Sequence, residues 1–266
     1  MAAEPPEGRK VFLMLHQFSR NELSIGKEGV GRYREKTVAV LGVGGVGSFA
    51  AEACARSGIG RIILIDKDEV DITNINRQLV AYMSTIGRKK AEVMKERIAD
   101  INPDCEVVTL NMFYTEETAE QLFELKPDYV IDASDTIAYK IHLIKECVRR
   151  GIKVISSMGV ARKNDPTRLQ ITDISKTHTD PLAKVIRTTL RKEGIRKGVP
   201  VVFSDESPII AREEVTEVVG KPDAAVRKAK MPPASNAFVP STAGLFCASW
   251  VLNDIVKDIP LQRVKG

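Results

Sequence analysis

Four cysteines in 266 residues, none of them in a C-x-x-C spacing, leave this chain without the thiolate cage of a structural zinc site. Cys54, Cys105, Cys147 and Cys247 are scattered, and the expectation for each is a buried thiol. Histidine is scarcer still: His16 lies near the start, His142 on an expected helix and His178 in an expected loop, which makes no catalytic constellation and favours structural or surface roles. No apolar run is long enough to cross a bilayer. The first twenty residues lack the basic-then-apolar order of a signal peptide, their apolar stretch being only residues 11–15, so the expected location is the cytoplasm, with no membrane partner. No internal repeat or low-complexity tract occurs. Residues 1–13 are expected to form a disordered extension, and a chain beginning at Met14 should then keep full activity.

What is present is enough apolar content, 43%, to bury one sizeable core. Apolar, β-branched runs recur at residues 38–41, 62–65, 107–110, 129–131 and 154–157, separated by helical stretches such as residues 49–57, 89–99 and 138–149. Such alternation predicts an α/β fold, a Rossmann-like doubly wound and mostly parallel sheet. A helix over residues 21–34 precedes the first strand. Beyond the fifth, strands are expected at 169–174 and 199–203, and helices at 181–192 and 241–256. The organisation expected is a nucleotide-binding region over residues 14–160 and an elaborated substrate half over 161–266 of the same domain, with a mobile stretch at about 207–240 that orders over the bound substrate.

The most informative segment is Gly42-Val43-Gly44-Gly45-Val46-Gly47-Ser48, placed at a strand-to-helix turn. Glycines there allow close backbone approach, and the free N–H groups of the helix start face an anion. Gly42, Gly44 and Gly47 also satisfy the dinucleotide spacing G-x-G-x-x-G, and Asp66 closes the next strand where a ribose-binding acid would sit. The turn alone therefore admits either NAD or ATP. The segment that follows supplies polar groups and cations: Asp66, Asp68, Asn74, Arg77, Gln78 and Lys90. A triphosphate that must break between its α and β phosphorus needs several cations around it, and Arg77 and Lys90 suit that task.

Gly42 to Ser48, Asp66-x-Asp68, Asn74-x-x-Arg77-Gln78, Lys90 and Ala133-Ser134-Asp135 together resemble the ubiquitin-activating-enzyme-like superfamily, the adenylation fold of ThiF and MoeB. The resemblance implies that Asp66 binds the adenosine ribose, that Asn74, Arg77 and Lys90 hold the phosphates, and that Asp135 holds Mg²⁺. It further implies that Arg20 is an arginine finger reaching the ATP of a neighbouring subunit, hence a homodimer. Arg56-Ser57-Gly58-Ile59-Gly60, Asn74-Ile75-Asn76-Arg77-Gln78, Asp165-Pro166-Thr167 and Gln170-Ile171-Thr172-Asp173 are most similar to the tRNA threonylcarbamoyladenosine dehydratases. These use ATP to remove water from the threonylcarbamoyl group beside the anticodon and close a ring. The implied partner is tRNA carrying threonylcarbamoyladenosine, with a cysteine desulfurase or sulfur-acceptor system as a further one. Asp132 has the alternative of capping the helix over 138–149, so the metal is assigned to Asp135, with Asp132 in support.

Lys plus Arg exceed Asp plus Glu by 40 to 35, a formal charge of +5 that suits a polyanion without demanding one. Arg187, Arg191, Lys192, Arg196 and Lys197 crowd one region, and Lys221, Arg227, Lys228 and Lys230 another, both outside the nucleotide motifs. Each is a candidate tRNA contact; the plain alternative is a solvated face. Two other functions stay open at this point. An NAD-dependent oxidoreductase leaves Arg77 and Lys90 unexplained. An activator of a ubiquitin-like or sulfur-carrier protein shares the adenylation motifs but lacks here the paired cysteines, and residues 207–240 offer no thiol to take an acyl group.

Overall fold

The computed structural model describes residues 15–212, Val215 and residues 233–264. The extension at residues 1–13, the basic group Lys221, Arg227, Lys228 and Lys230, and most of the stretch expected to be mobile lie outside the described residues.

Helix α1 (Ser19–Arg34) leads into the sheet and is kinked at Gly26, whose φ of 70° interrupts the helical ladder. There follow β1 (Thr37–Leu41), α2 (Gly47–Ser57), β2 (Arg61–Ile65), α3 (Lys90–Ile101), β3 (Glu106–Leu110), α4 (Ala119–Phe123), β4 (Tyr129–Asp132), α5 (Ile137–Arg150) and β5 (Lys153–Ser157). The second half adds β6 (Leu169–Asp173), α6 (Pro181–Lys192), β7 (Pro200–Ser204) and the last helix α7 (Phe238–Ile255). The strands form one sheet in the order β3-β2-β1-β4-β5-β7-β6. All neighbours run parallel except β6, which is antiparallel to β7.

Alternation along β1 explains the layering. Val38 and Val40 face a core shared with α2, α3 and α7, while Ala39 and Leu41 face the opposite core, filled from α4 and α5. With both faces covered, the inner strands read as continuous apolar runs. A third core packs Ile186 and Leu190 of α6 against Val201 and Phe203 of β7. Helix α7 lies directly on α2: a Cβ at Gly244 would sit 2.2 Å from the carbonyl oxygen of Val46. Helices α2 and α5 both end on glycines in the left-handed region, Gly58 (φ 97°) and Gly151 (φ 69°).

The strand order reverses at β1, which has β2 on one side and β4 on the other. In an open doubly wound sheet that reversal leaves a crevice beyond the carboxyl ends of the two strands. Leu41 is in register with Ile65 and Asp132, so the turn after β1, Asp66 and the loop after β4 emerge together at the crevice.

Candidate nucleotide-binding site

At the crevice is a cavity of about 420 Å³. Gly42, Gly44, Gly45, Asp66, Asp68, Asn74, Arg77, Gln78, Lys90 and Asp135 all line it. Gly47 and Ser48, expected beside them, do not. Gly47 closes the turn upon itself, since a Cβ there would stand 1.7 Å from the carbonyl oxygen of Gly42. The Ser48 hydroxyl is buried and accepts the Leu79 amide at 3.2 Å, tying the turn to the segment behind Gln78. Gly42 has φ 88° and would bring a Cβ to 2.9 Å from the Ala133 carbonyl oxygen, so it lets the β1 and β4 loops touch. Gly44 differs: a Cβ there meets only Gln78 Nε2, at 3.7 Å. Protein packing does not require glycine at 44 and leaves the space beside it open to a ligand.

Both oxygens of Asp66 are engaged from below, Oδ2 accepting the Val43 amide at 2.7 Å and Oδ1 the Asp68 amide at 2.8 Å. Each keeps a lone pair for a further donor. Burial pushes the Asp66 carboxyl above its ordinary value, against the pull of Lys90 and the two amides. Burial also pushes Asp68 up, but Lys67 at 2.9 Å and Lys90 at 3.5 Å outweigh it and hold its carboxyl low. Lys90 opens α3 and is 7% exposed, so its ammonium faces the cavity with little competing water.

Asn74 is buried in a capping box, its Oδ1 accepting the Asp71 amide at 3.2 Å. Arg77 donates from Nη1 to the Thr73 carbonyl at 2.8 Å and to Asn76 Oδ1 at 2.9 Å, which fixes the guanidinium at the cavity wall. Burial lowers Arg77 from its usual value against the opposing pull of Asp71, and a guanidinium so placed stays charged at neutral pH. Gln78 Oε1 is buried with no hydrogen-bond partner among the described residues. A ligand donor in the cavity would satisfy it.

Asp135 lines the opposite wall, its Oδ1 accepting the Thr136 hydroxyl at 3.4 Å. The capping alternative for Asp132 is not what is seen. The N-cap of α5 is Thr136, without a side-chain bond, and Asp132 is fully buried among Lys140, Ser156 and Ser134. Among the described residues no group of three or more His, Cys, Asp or Glu could cage a metal. A single hard carboxylate beside a phosphate site is nonetheless the donor set Mg²⁺ uses when phosphates supply the other ligands, so the residues present fit that ion.

Several wall residues carried no signal in sequence. Met112, Phe113 and Tyr114 follow β3, Tyr139 comes from α5, Val160 follows β5, and Ala161, Pro233, Ser235 and Pro240 come from the second half. Met112, Phe113 and Tyr114 follow a strand end while Tyr139 and Pro240 sit on helices, and their places at the cavity are visible only once the fold is known. Lys67 stands 3.9 Å over the Phe113 ring.

Other expected residues fall elsewhere. Arg20 is exposed on the first turn of α1, outside the cavity lining. Arg187 is half-buried and donates from Nη1 to the Thr177 carbonyl at 2.6 Å and hydroxyl at 2.5 Å. Arg191, Lys192, Arg196 and Lys197 are exposed at and beyond the end of α6. Cys54, Cys147 and Cys247 are buried and Cys105 half-buried, and burial pushes each thiol up to about 12. Such thiols hold almost no thiolate at neutral pH.

A family model described as the ThiF family matches residues 18–259. The tRNA threonylcarbamoyladenosine dehydratase of Bacillus subtilis (strain 168) is 69% identical over 252 residues, covering 95% of this chain and 99% of its own. That of Escherichia coli (strain K12) is 41% identical over 198 residues, 72% of this chain and 74% of its own. The crystal structure of E. coli tRNA N6-threonylcarbamoyladenosine dehydratase, TcdA, in complex with ATP superposes with a TM-score of 0.81 at 35% identity, covering 91% of this chain and 94% of that one.

Proposed function

The chain belongs to the ThiF family, and from that premise we infer that it removes water from N6-threonylcarbamoyladenosine in tRNA, using ATP, to give the cyclic nucleoside. The observation that carries this reading is the cavity itself, where two cations and a carboxylate, Arg77, Lys90 and Asp135, surround a glycine turn. A dinucleotide needs little beyond the turn; an α-phosphorus under attack by a carboxylate needs that charge.

The substrate carboxylate is a poor electrophile because oxide is a poor leaving group. Its oxygen attacks the α-phosphorus of ATP, pyrophosphate departs, and an acyl adenylate forms. Asn74 and the amides of the glycine turn orient the phosphates, while Arg77 and Lys90 offset the repulsion between carboxylate and α-phosphate. Asp66 fixes the ribose. Mg²⁺, held by Asp135 and the phosphates, would add Lewis-acid polarisation of the same phosphoryl oxygens. A nucleophile of the same nucleoside then attacks the acyl carbon and AMP leaves with the former carboxylate oxygen. A tethered nucleophile reaches effective concentrations on the order of 10⁵ to 10⁸ M when well placed, so the protein's task at this step is alignment and exclusion of water. No thioester is required, in keeping with thiols pushed up to about 12.

The reading extends to a cytoplasmic homodimer in which Arg20 serves the neighbour's ATP and the exposed cations after α6 meet the tRNA backbone. Mixing inactive Arg20→Ala and Asp135→Ala subunits should restore activity if Arg20 acts in trans, and leave none if it does not. A complex with a cysteine desulfurase or sulfur acceptor is checked by co-purification. The function itself is tested by nucleoside mass analysis of threonylcarbamoyl-modified tRNA incubated with the protein and Mg-ATP, AMP being followed in the same tubes. Loss of one water with matching AMP supports it; an unchanged nucleoside with ATP still bound refutes it in favour of carrier-protein activation.

A further inference from the structure

Lys140 is a lysine with no surface. Its side chain is 1% exposed and that of Asp132 is 0% exposed, and the two meet at 2.9 Å between β4 and α5. The ammonium also reaches Ser156 Oγ on β5 at 3.3 Å, and Ser156 in turn donates to Asp132 Oδ2 at 2.6 Å. The other carboxylate oxygen, Oδ1, points forward into the loop after β4 and accepts both the amide and the hydroxyl of Ser134, at 3.1 and 2.8 Å. One residue further is Asp135, on the cavity wall. The same loop is held from behind by the Ala133 amide, which donates to the Leu41 carbonyl at 2.9 Å, and it has Gly42 pressed against it.

A buried ion pair is an expensive way to fill a core, because apolar side chains of similar volume often serve stability as well or better. What apolar side chains cannot do is accept two hydrogen bonds from a loop. We propose that Lys140 and Asp132 are positioning residues that set the Ser134-Asp135 loop, Lys140 holding the Asp132 carboxylate aimed so that Asp135 is kept in place for its task on the nucleotide. This rests on the role given to Asp135 above. Without Lys140, the Asp132 carboxylate loses the anchor on Oδ2 and turns, and its grip on Ser134 is lost.

The test compares two uncharged double variants, so that an orphaned buried charge does not decide the result. Asp132→Asn with Lys140→Met keeps an oxygen that accepts from Ser134; Asp132→Leu with Lys140→Met keeps none. Three quantities are read: AMP formation at saturating ATP, ATP binding with and without Mg²⁺, and amide hydrogen exchange across residues 133–136. The expectation is that the Leu/Met chain is at least about 10-fold slower than the Asn/Met chain. It should also lose the Mg²⁺-dependent part of its ATP affinity, keep its Mg²⁺-free affinity, and exchange faster in the loop. Equal rates and equal exchange in the two chains would overturn the inference. Asp135→Ala is run alongside: if it is as active as the wild type, the role of Asp135 has failed; if it is inactive while the two double variants match, only the positioning inference has failed. Should the Leu/Met chain not fold, Ser134→Ala removes one of the two grips without touching a charge. Faster exchange with slower AMP formation then supports the inference, and unchanged exchange overturns it.

Discussion

The charged groups that line the cavity and the cations at the end of α6 are held in opposite ways. On the β3-β2-β1-β4 side the working groups are tied down before any ligand arrives: Asp66 by two amides, Arg77 by a carbonyl and an amide oxygen, Lys90 by burial. Beyond β5, Arg191, Lys192, Arg196 and Lys197 stand exposed at the end of α6. A small nucleotide whose α-phosphorus must be attacked in line rewards fixed donors, because a misplacement of about 1 Å can cost on the order of 100-fold in rate. A long polyanion rewards number of charges over their placement. Under the proposed function, chemistry falls to the first half and grip on tRNA to the second.

The most severe way to break that division is Asp135→Ala or Arg77→Ala. Either should lower ATP-dependent dehydration by at least about 100-fold, with tRNA binding, followed by filter retention, within about threefold of wild type. Equal loss of both would merge the two halves into one site. Next in size are the glycines of the turn. Gly44→Ala should leave the melting temperature close to wild type yet weaken ATP by about 10-fold, since only a ligand needs the space at 44. Gly47→Ala should instead fail in stability, its Cβ landing 1.7 Å from the Gly42 carbonyl oxygen. If both variants lost stability alike, the open space at 44 would not be a ligand's.

On the other side, replacing Arg191, Lys192, Arg196 and Lys197 by glutamine should weaken tRNA binding and flatten its salt dependence, by up to about four in the log–log slope. ATP binding should stay unchanged, and an unchanged slope would leave these cations as a solvated face. The smallest effect concerns the sheet's back end, where Asp254 on α7 accepts the Tyr129 hydroxyl at 2.7 Å and pairs with Lys153. Burial pushes Asp254 up, but Lys153, Tyr129 and Lys257 together hold it at about 2. Its folded value lies below the unfolded value of about 3.9, so its stabilisation is present above that and is lost as pH falls toward 2. Asp254→Asn should therefore flatten the acid limb of the stability curve between those values and leave catalysis at neutral pH alone.

The same contrast explains what sequence could tell. The strands around the crevice stood out as apolar, β-branched runs, buried almost throughout in β1, β2 and β4 and half-buried in the edge strand β3, and the glycine turn because no other residue fits where Gly42 and Gly47 sit. Helix α4, five residues long, is too short to show a period, and the reversed direction of β6 leaves no mark in its composition. The surroundings of a single charged residue leave no mark in the sequence. Lys140 on α5 is wholly buried, and Arg187, in the midst of a basic cluster, bonds Thr177 through one nitrogen. Ser48 closes the nucleotide motif in sequence but turns inward to Leu79 in space. Spacing finds groups that repeat, whereas the direction of one side chain is settled by long-range contacts.

The central claim is that water leaves the nucleoside through a carboxyl adenylate built in the first half of the sheet. The most direct measurement uses tRNA whose threonylcarbamoyl carboxylate carries heavy oxygen, with mass analysis of the AMP released in a single turnover. The account predicts one heavy oxygen in the AMP phosphate for every ring closed. Cyclic product formed with the label in solvent water, or with ATP cleaved to ADP, would contradict it.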